Sequence, residues 1–125
     1  YQKTADLKGI IEMQDKSFEN TMNYLAHCEF YMGLSSGLSW LAWSLRKRVY
    51  MISNFTHKDH EFNINTIRFT DESICNGCWH DEKFRFDKSN WMWCPRHEDT
   101  PRHFECHKKI TSETVINKIK ENEGI

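Results

Sequence analysis

The chain has 125 residues, enough for one domain, and its 17 Lys and Arg against 18 Asp and Glu leave a formal charge of −1. That balance lacks the basic footprint of a nucleic-acid-binding protein and the like-charge block of an interaction tail, so no nucleic-acid partner is expected. Aromatics at 14% supply the material for a core and argue against disorder, while the longest apolar run, Leu38 to Leu45, is far too short to span a bilayer, so no membrane partner is expected either.

In chain order, Leu7 to Met13 is apolar-rich and reads as a buried strand, with a turn at Asp15 to Ser17. Phe18 to His27 is predicted helical, because Phe18, Met22, Leu25 and Ala26 recur on one face of a 3.6-residue period. Cys28 to Leu34 is predicted as a strand on its aromatic content. After the turn Ser35-Ser36-Gly37, Leu38 to Leu45 is predicted as a buried helix with Leu38, Leu41, Ala42 and Leu45 inward, and Arg46-Lys47-Arg48 in its last turn or just beyond, where cations suit a helix C-terminus. Val49 to Ile52 is the next strand. Helix, strand, helix, strand is the alternation of a parallel α/β sheet. Asn54 to His60 reads as a polar loop and Phe62 to Phe69 as a weakly alternating strand. Cys75 to Cys106 has little periodicity, which predicts a segment held by something other than an apolar core. Thr111 to Asn122 closes the chain as a helix, capped by Thr111 or Ser112, with Val115, Ile116 and Ile119 on one face and Gly124 just past the end. The expected division is 1–70 for the α/β part, 71–110 for the cysteine segment and 111–125 for the last helix.

Four of the five cysteines lie in that middle segment. Cys75-Asn-Gly-Cys78 lets two thiolates reach one ion from a tight turn, and Asn76-Gly77 tolerates the positive φ such a turn needs. Cys94 and Cys106 complete four sulfur ligands, the number a tetrahedral structural site uses. Two disulfides are the alternative, but Cys28 stands alone and the cysteines are not spread through the chain as in small secreted domains. His80, His97, His103 and His107 are close enough in sequence to replace one thiolate, and spacing leaves zinc and iron both open. Trp91 and Trp93 are expected to cover the metal. Cys28 reads as a small apolar residue rather than a nucleophile.

The second chemical signal is Gly33-Leu-Ser35-Ser36-Gly37, a strand-to-helix turn. A helix N-terminus with small neighbours and serine hydroxyls suits a phosphate, and the carboxyl end of a parallel strand is where ligands bind in open α/β sheets. Neither the Walker loop nor the three-glycine dinucleotide pattern is present. The plainer alternative is that a serine caps the helix and Gly37 permits close packing. In the next loop His57, Asp59, His60 and Glu61 offer contacts to a sugar or ribose, with Glu61 accepting from hydroxyls; a solvated loop is the plainer alternative there.

The run Phe30-Tyr-Met-Gly-Leu-Ser-Ser-Gly-Leu-Ser-Trp-Leu-Ala-Trp-Ser-Leu with Val49-Tyr-Met-Ile-Ser53 resembles the C-terminal half of a GT-B glycosyltransferase. Cys75-Asn-Gly-Cys78-Trp79, Trp91-Met-Trp-Cys94-Pro-Arg-His97, Phe104-Glu-Cys106 and Ile110-Thr-Ser-Glu-Thr-Val-Ile116 resemble the bacterial autotransporter heptosyltransferases, from about residue 7 onward. The resemblance implies two Rossmann-like domains with the active site between them, of which this chain is the C-terminal, donor-binding one, with an inserted four-cysteine finger and a C-terminal helix. It implies a cytoplasmic bacterial enzyme that moves heptose from ADP-heptose to Ser or Thr hydroxyls of an autotransporter adhesin and assembles into large homo-oligomers. Cys75, Cys78, Cys94 and Cys106 would hold structural iron, with zinc as the alternative, and Ser35, Ser36 and Gly37 would meet the donor's diphosphate. The acceptor-binding domain, which supplies the catalytic base in that family, has no counterpart here, and the absence of an initiator Met fits a fragment, so no catalytic residue is named. The rival reading is a metal-ribbon module that mediates protein interaction or oligomerisation without catalysis.

Overall fold

The computed structural model describes residues 9, 10, 13 and 16–125. The strand expected at 7–13 falls mostly outside them. The rest is α/β: α1 (Phe18–His27), β1 (Phe30–Leu34), α2 (Gly37–Ser44), β2 (Arg48–Ile52), β3 (Thr66–Phe69), α3 (Glu105–Lys108) and α4 (Ser112–Glu123). Single 3-10 turns occur at Lys58–His60 and Cys78–His80. The three strands form one parallel sheet in the order β1-β2-β3, with Phe30 opposite Arg48 and Val49 opposite Thr66.

The sheet is covered on both faces, which is why β2 is apolar without alternation. Val49 and Met51 point to α2 and pack with Ala42 and Phe62, while Tyr50 points to α4 and packs with Phe69, Val115 and Ile119. All three β2 residues are fully buried, each contributing on the order of 1.5–3 kcal/mol of transfer free energy. α4 starts and stops as its sequence dictates. The Thr111 hydroxyl accepts the Thr114 N–H at 3.2 Å, and Gly124 takes the left-handed conformation (φ 70°) that ends the helix.

Three expectations need correction. α2 does not bury its leucines: Ser39 and Ala42 face the sheet, and Leu38 is 45% exposed. Its sequence is apolar all round, so periodicity could not choose a face, and the small side chains went where the sheet comes close. Phe18, Leu38, Trp40 and Leu41 instead line an exposed apolar trough. α1, by contrast, spans the predicted Phe18–His27; none of its residues is buried, and only Leu25 packs against the core. Arg48 belongs to β2, where its guanidinium pairs with Glu123 of α4 at 2.8 Å rather than with a helix end. Finally, β3 is only Thr66–Phe69: Phe62 folds into the core from a loop, and Asn65 (φ 53°) breaks extended backbone before the strand.

Candidate donor site and cysteine finger

β1 and β2 run parallel and end at Leu34 and Ile52, so the chain leaves both on the same side of the sheet. There a cavity of about 490 Å³ opens. Ser35, Ser36 and Gly37 supply one part of its lining, and Thr56 and His60 of the loop after β2 another. Leu34, Trp40, Ile52 and Phe55 give it apolar surface. The cysteine segment contributes Trp79, His80 and His107.

The Ser35–Gly37 turn lies at the N-terminus of α2, whose first N–H groups have no partner within the helix. Ser39 closes back on the turn: its hydroxyl accepts the Ser36 N–H at 3.0 Å and donates to the Ser36 carbonyl at 2.7 Å. Gly37 is not there for packing, because a Cβ on it would meet nothing within 4 Å, nor for a positive φ. Its missing side chain leaves room on the cavity wall.

Glu61 sits behind this wall. Its carboxylate is 1% exposed and pairs with Arg68 at 2.5 Å. It accepts from the Ser53 hydroxyl at 2.6 and 2.8 Å and from the Thr56 hydroxyl. Burial would push its pKa up, but the Ser53, Thr56 and Ser35 hydroxyls and the Arg68 charge outweigh that, and the carboxyl lies below its ordinary value. Glu61 thus reaches the cavity through the Thr56 and Ser35 hydroxyls rather than with a surface of its own. Of its predicted neighbours, His60 lines the cavity, while His57 turns its Nδ1 to the Asp59 N–H at 3.3 Å.

The finger is joined to β2 by Asn54, a buried residue that the sequence places in a polar loop. Its Nδ2 donates to the Cys106 carbonyl at 3.0 Å, its Oδ1 accepts the Asp71 N–H at 2.9 Å, and its own carbonyl accepts the Gly77 N–H at 2.7 Å. Gly77 is left-handed (φ 71°), as the Cys75–Cys78 turn requires. The two thiols of that turn stand 4.0 Å apart, close to the separation of roughly 3.8 Å that tetrahedral metal–sulfur bonds impose. No disulfide is present among the described residues; Cys78, Cys94 and Cys106 are buried and Cys75 is half-buried. Burial, then repulsion from Cys75, pushes the Cys78 thiol up to about 12; burial, then repulsion from Cys75 and Cys94, pushes Cys106 up to about 11. These thiols act on one another electrostatically, and a cation between them would remove the penalty. The donor chemistry therefore fits a thiophilic ion. Among the described residues, no three His, Cys, Asp or Glu side chains are already gathered into a metal cage. His103 is engaged by the Met92 carbonyl and the Asp99 N–H, and His80 by the His57 N–H. Trp93 is buried among Phe55, Trp79 and Phe86, but Trp91 is 95% exposed and covers nothing. The turn closed by the Trp93 N–H on the Asn90 carbonyl, at 3.2 Å, sends the two indoles apart where an extended chain would align them.

No family model matches the chain. It is 40% identical over 115 residues, 92% of its length, to the autotransporter heptosyltransferase Aah of Escherichia coli. It is 35% identical over 111 residues to BimC of Burkholderia thailandensis, which is named an inactive autotransporter heptosyltransferase. In three dimensions it matches the crystal structure of the dodecameric, iron-containing heptosyltransferase TibC in complex with ADP-D-β-D-heptose. That match has a TM-score of 0.75 and 42% identity, and it covers 82% of this chain and 27% of that one. The chain spans about a quarter of the length of the curated relatives it matches.

Proposed function

The chain is homologous to autotransporter heptosyltransferases over about nine-tenths of its length, and from that premise we propose that it is the donor-binding, Rossmann-like C-terminal part of a GT-B glycosyltransferase. The full protein would transfer heptose from ADP-heptose to Ser or Thr hydroxyls of an autotransporter-like acceptor in the bacterial cytoplasm, as a homo-oligomer. Support comes from the cavity at the carboxyl ends of β1 and β2, with a serine-lined helix N-terminus at its wall and a glycine whose Cβ position is empty. In the transfer, the bond between the anomeric carbon and the diphosphate oxygen breaks and its electron pair stays on the phosphate. The acceptor oxygen forms the new bond to carbon and its proton passes to a base, which we do not assign to this chain. Charge grows on the leaving diphosphate. Aligned N–H donors of α2 and the Ser36 hydroxyl stabilise it, while Ser35, whose hydroxyl donates to Glu61, holds the turn in place. Glu61 holds Thr56, Arg68 and the following loop in register around that point.

Cys75, Cys78, Cys94 and Cys106 would hold the iron named for the solved relative. An ion held there would cross-link the finger rather than act on the substrate, since four protein ligands would leave no open position. A ribbon module without catalysis is the weaker reading, because the cavity is built jointly by the α/β part and the finger. The existence of an inactive relative makes donor binding, not turnover, the decisive test. Gly37→Val in the full-length protein should raise the Kd for ADP at least tenfold in calorimetry with little change in thermal stability, because a Cβ at this position meets nothing within 4 Å. Wild-type protein that binds no ADP refutes the reading.

A further inference from the structure

The Cys75–Cys78 turn does more than present two thiols. Two residues past Cys78, the chain delivers His80 into the lining of the cavity that Ser35, Ser36 and Gly37 also line. The ring is fixed in two ways. Its Nδ1 accepts the backbone N–H of His57 at 3.2 Å, so the neutral imidazole carries its proton on Nε2. His60 lies flat against it, with ring centroids 3.8 Å apart and planes 6° from parallel, which holds the plane of the ring. Among the described residues the Nε2–H has no acceptor within hydrogen-bonding distance, although both histidines border the cavity.

We infer that His80 is a phosphate-contacting residue of the donor site: it presents a fixed Nε2–H to the diphosphate of the nucleotide sugar, with His57 and His60 as positioning residues. The inference rests on the donor reading above and adds to it a contact from a different element. The N-terminus of α2 and its serines come from one side of the chain, and a diphosphate has more oxygens than one helix end can serve. An oriented, uncharged N–H on the finger supplies a further donor where charge accumulates. The apolar lining from Trp40, Phe55 and Trp79 is left for the uncharged parts of the ligand.

Two substitutions divide the ring into its two functions. An asparagine at this position would keep an amide oxygen near the Nδ1 position for the His57 N–H but is too short to reach the cavity, so His80→Asn removes the ligand contact; the stack on His60 is lost in both this variant and His80→Gln, and the difference between the two reads the Nε2 donor. His80→Gln keeps a donor near the Nε2 position. Calorimetry on the full-length protein with ADP and with adenosine should show ADP weakened about tenfold by His80→Asn, the size of one lost hydrogen bond to a charged group. ADP should stay within about threefold of wild type for His80→Gln, and adenosine should be unchanged by either. Equal weakening of ADP and adenosine, or equal weakening by both substitutions, shows that the ring only shapes the cavity and overturns the inference. So does unchanged ADP binding by His80→Asn. Wild-type protein that binds no ADP removes the donor reading and this inference together, whereas failure of the variants alone leaves the donor reading standing.

Discussion

Asn54 shows how much one side chain can decide here. It sits two residues beyond the end of the buried strand β2, and its carbonyl and both polar atoms of its side chain bond to different stretches of the finger: Gly77, Asp71 and Cys106. The neighbouring Phe55 carbonyl accepts the Trp79 N–H at 3.1 Å and extends the seam. Asn54→Leu keeps the branched shape but strands the Asp71 N–H and the Cys106 carbonyl. It should cost about 2–6 kcal/mol, since each orphaned buried group loses about 1–3. Denaturant unfolding reads the total, and hydrogen exchange should rise at 71–78 and 103–108. Exchange that stays at wild-type rates there would mean that aromatic packing alone holds the finger. Nothing in the sequence singles Asn54 out, because its neighbours read as a polar loop and its side chain's partners lie 17 and 52 residues away. The strand-to-helix turn at Ser35, Ser36 and Gly37 was legible because turn chemistry is local. The engagement of Glu61 by Arg68 was not, since the partner is on another element.

At the scale of elements, what was legible followed local period and capping. The β1–α2–β2 alternation, the irregularity of the cysteine segment and both ends of α4 could be read directly, whereas the face of α2 and the length of β3 depended on what lay opposite. The docking of α4 is such a long-range matter. Glu123, at its end, accepts from the fully buried Tyr50 hydroxyl at 2.5 Å and pairs with Arg48 at 2.8 Å. The Tyr50 hydrogen bond first, and then Arg48, hold the Glu123 carboxyl below its ordinary 4.5. A carboxyl whose folded-state pKa is depressed stabilises fully above the unfolded value and loses that contribution as pH falls through the folded one. The helix should therefore stay docked with constant stability above about pH 4.5 and loosen below it. Hydrogen exchange across 112–123 as a function of pH tests this, and Glu123→Gln should flatten the dependence. A profile unchanged by that substitution would place the acid sensitivity elsewhere.

The whole molecule is held together by two different kinds of force. The buried residues of both apolar clusters, Ala42, Val49, Met51 and Phe62 on one face and Tyr50, Phe69, Val115 and Ile119 on the other, all lie outside 70–109. Between those positions the chain relies on the Asn54 seam, on ion pairs such as Arg96 with Asp81 and Arg102 with Glu105, and on an aromatic knot around Trp93. Burial and mutual repulsion push two of the four thiols up, a penalty that a bound cation would remove. On the reading that the four hold the iron named for the solved relative, elemental analysis of the full-length protein should find one iron per chain. Cys75→Ser should release it and raise hydrogen exchange through 70–110, while the sheet and α4 keep wild-type protection, because no core residue is lost. Trp79 and His80 line the cavity proposed for the donor from the same turn, so ADP affinity should fall with the metal although Cys75 does not border the cavity. Loss of protection across the sheet as well would show that the two parts are one cooperative unit. Zinc in place of iron would leave the four-thiolate cage intact and remove only the assignment of the ion. Metal-free protein lacking free thiols would mean disulfides, and a finger held by covalent bonds should keep its ADP affinity in the presence of chelators and lose it to reductant.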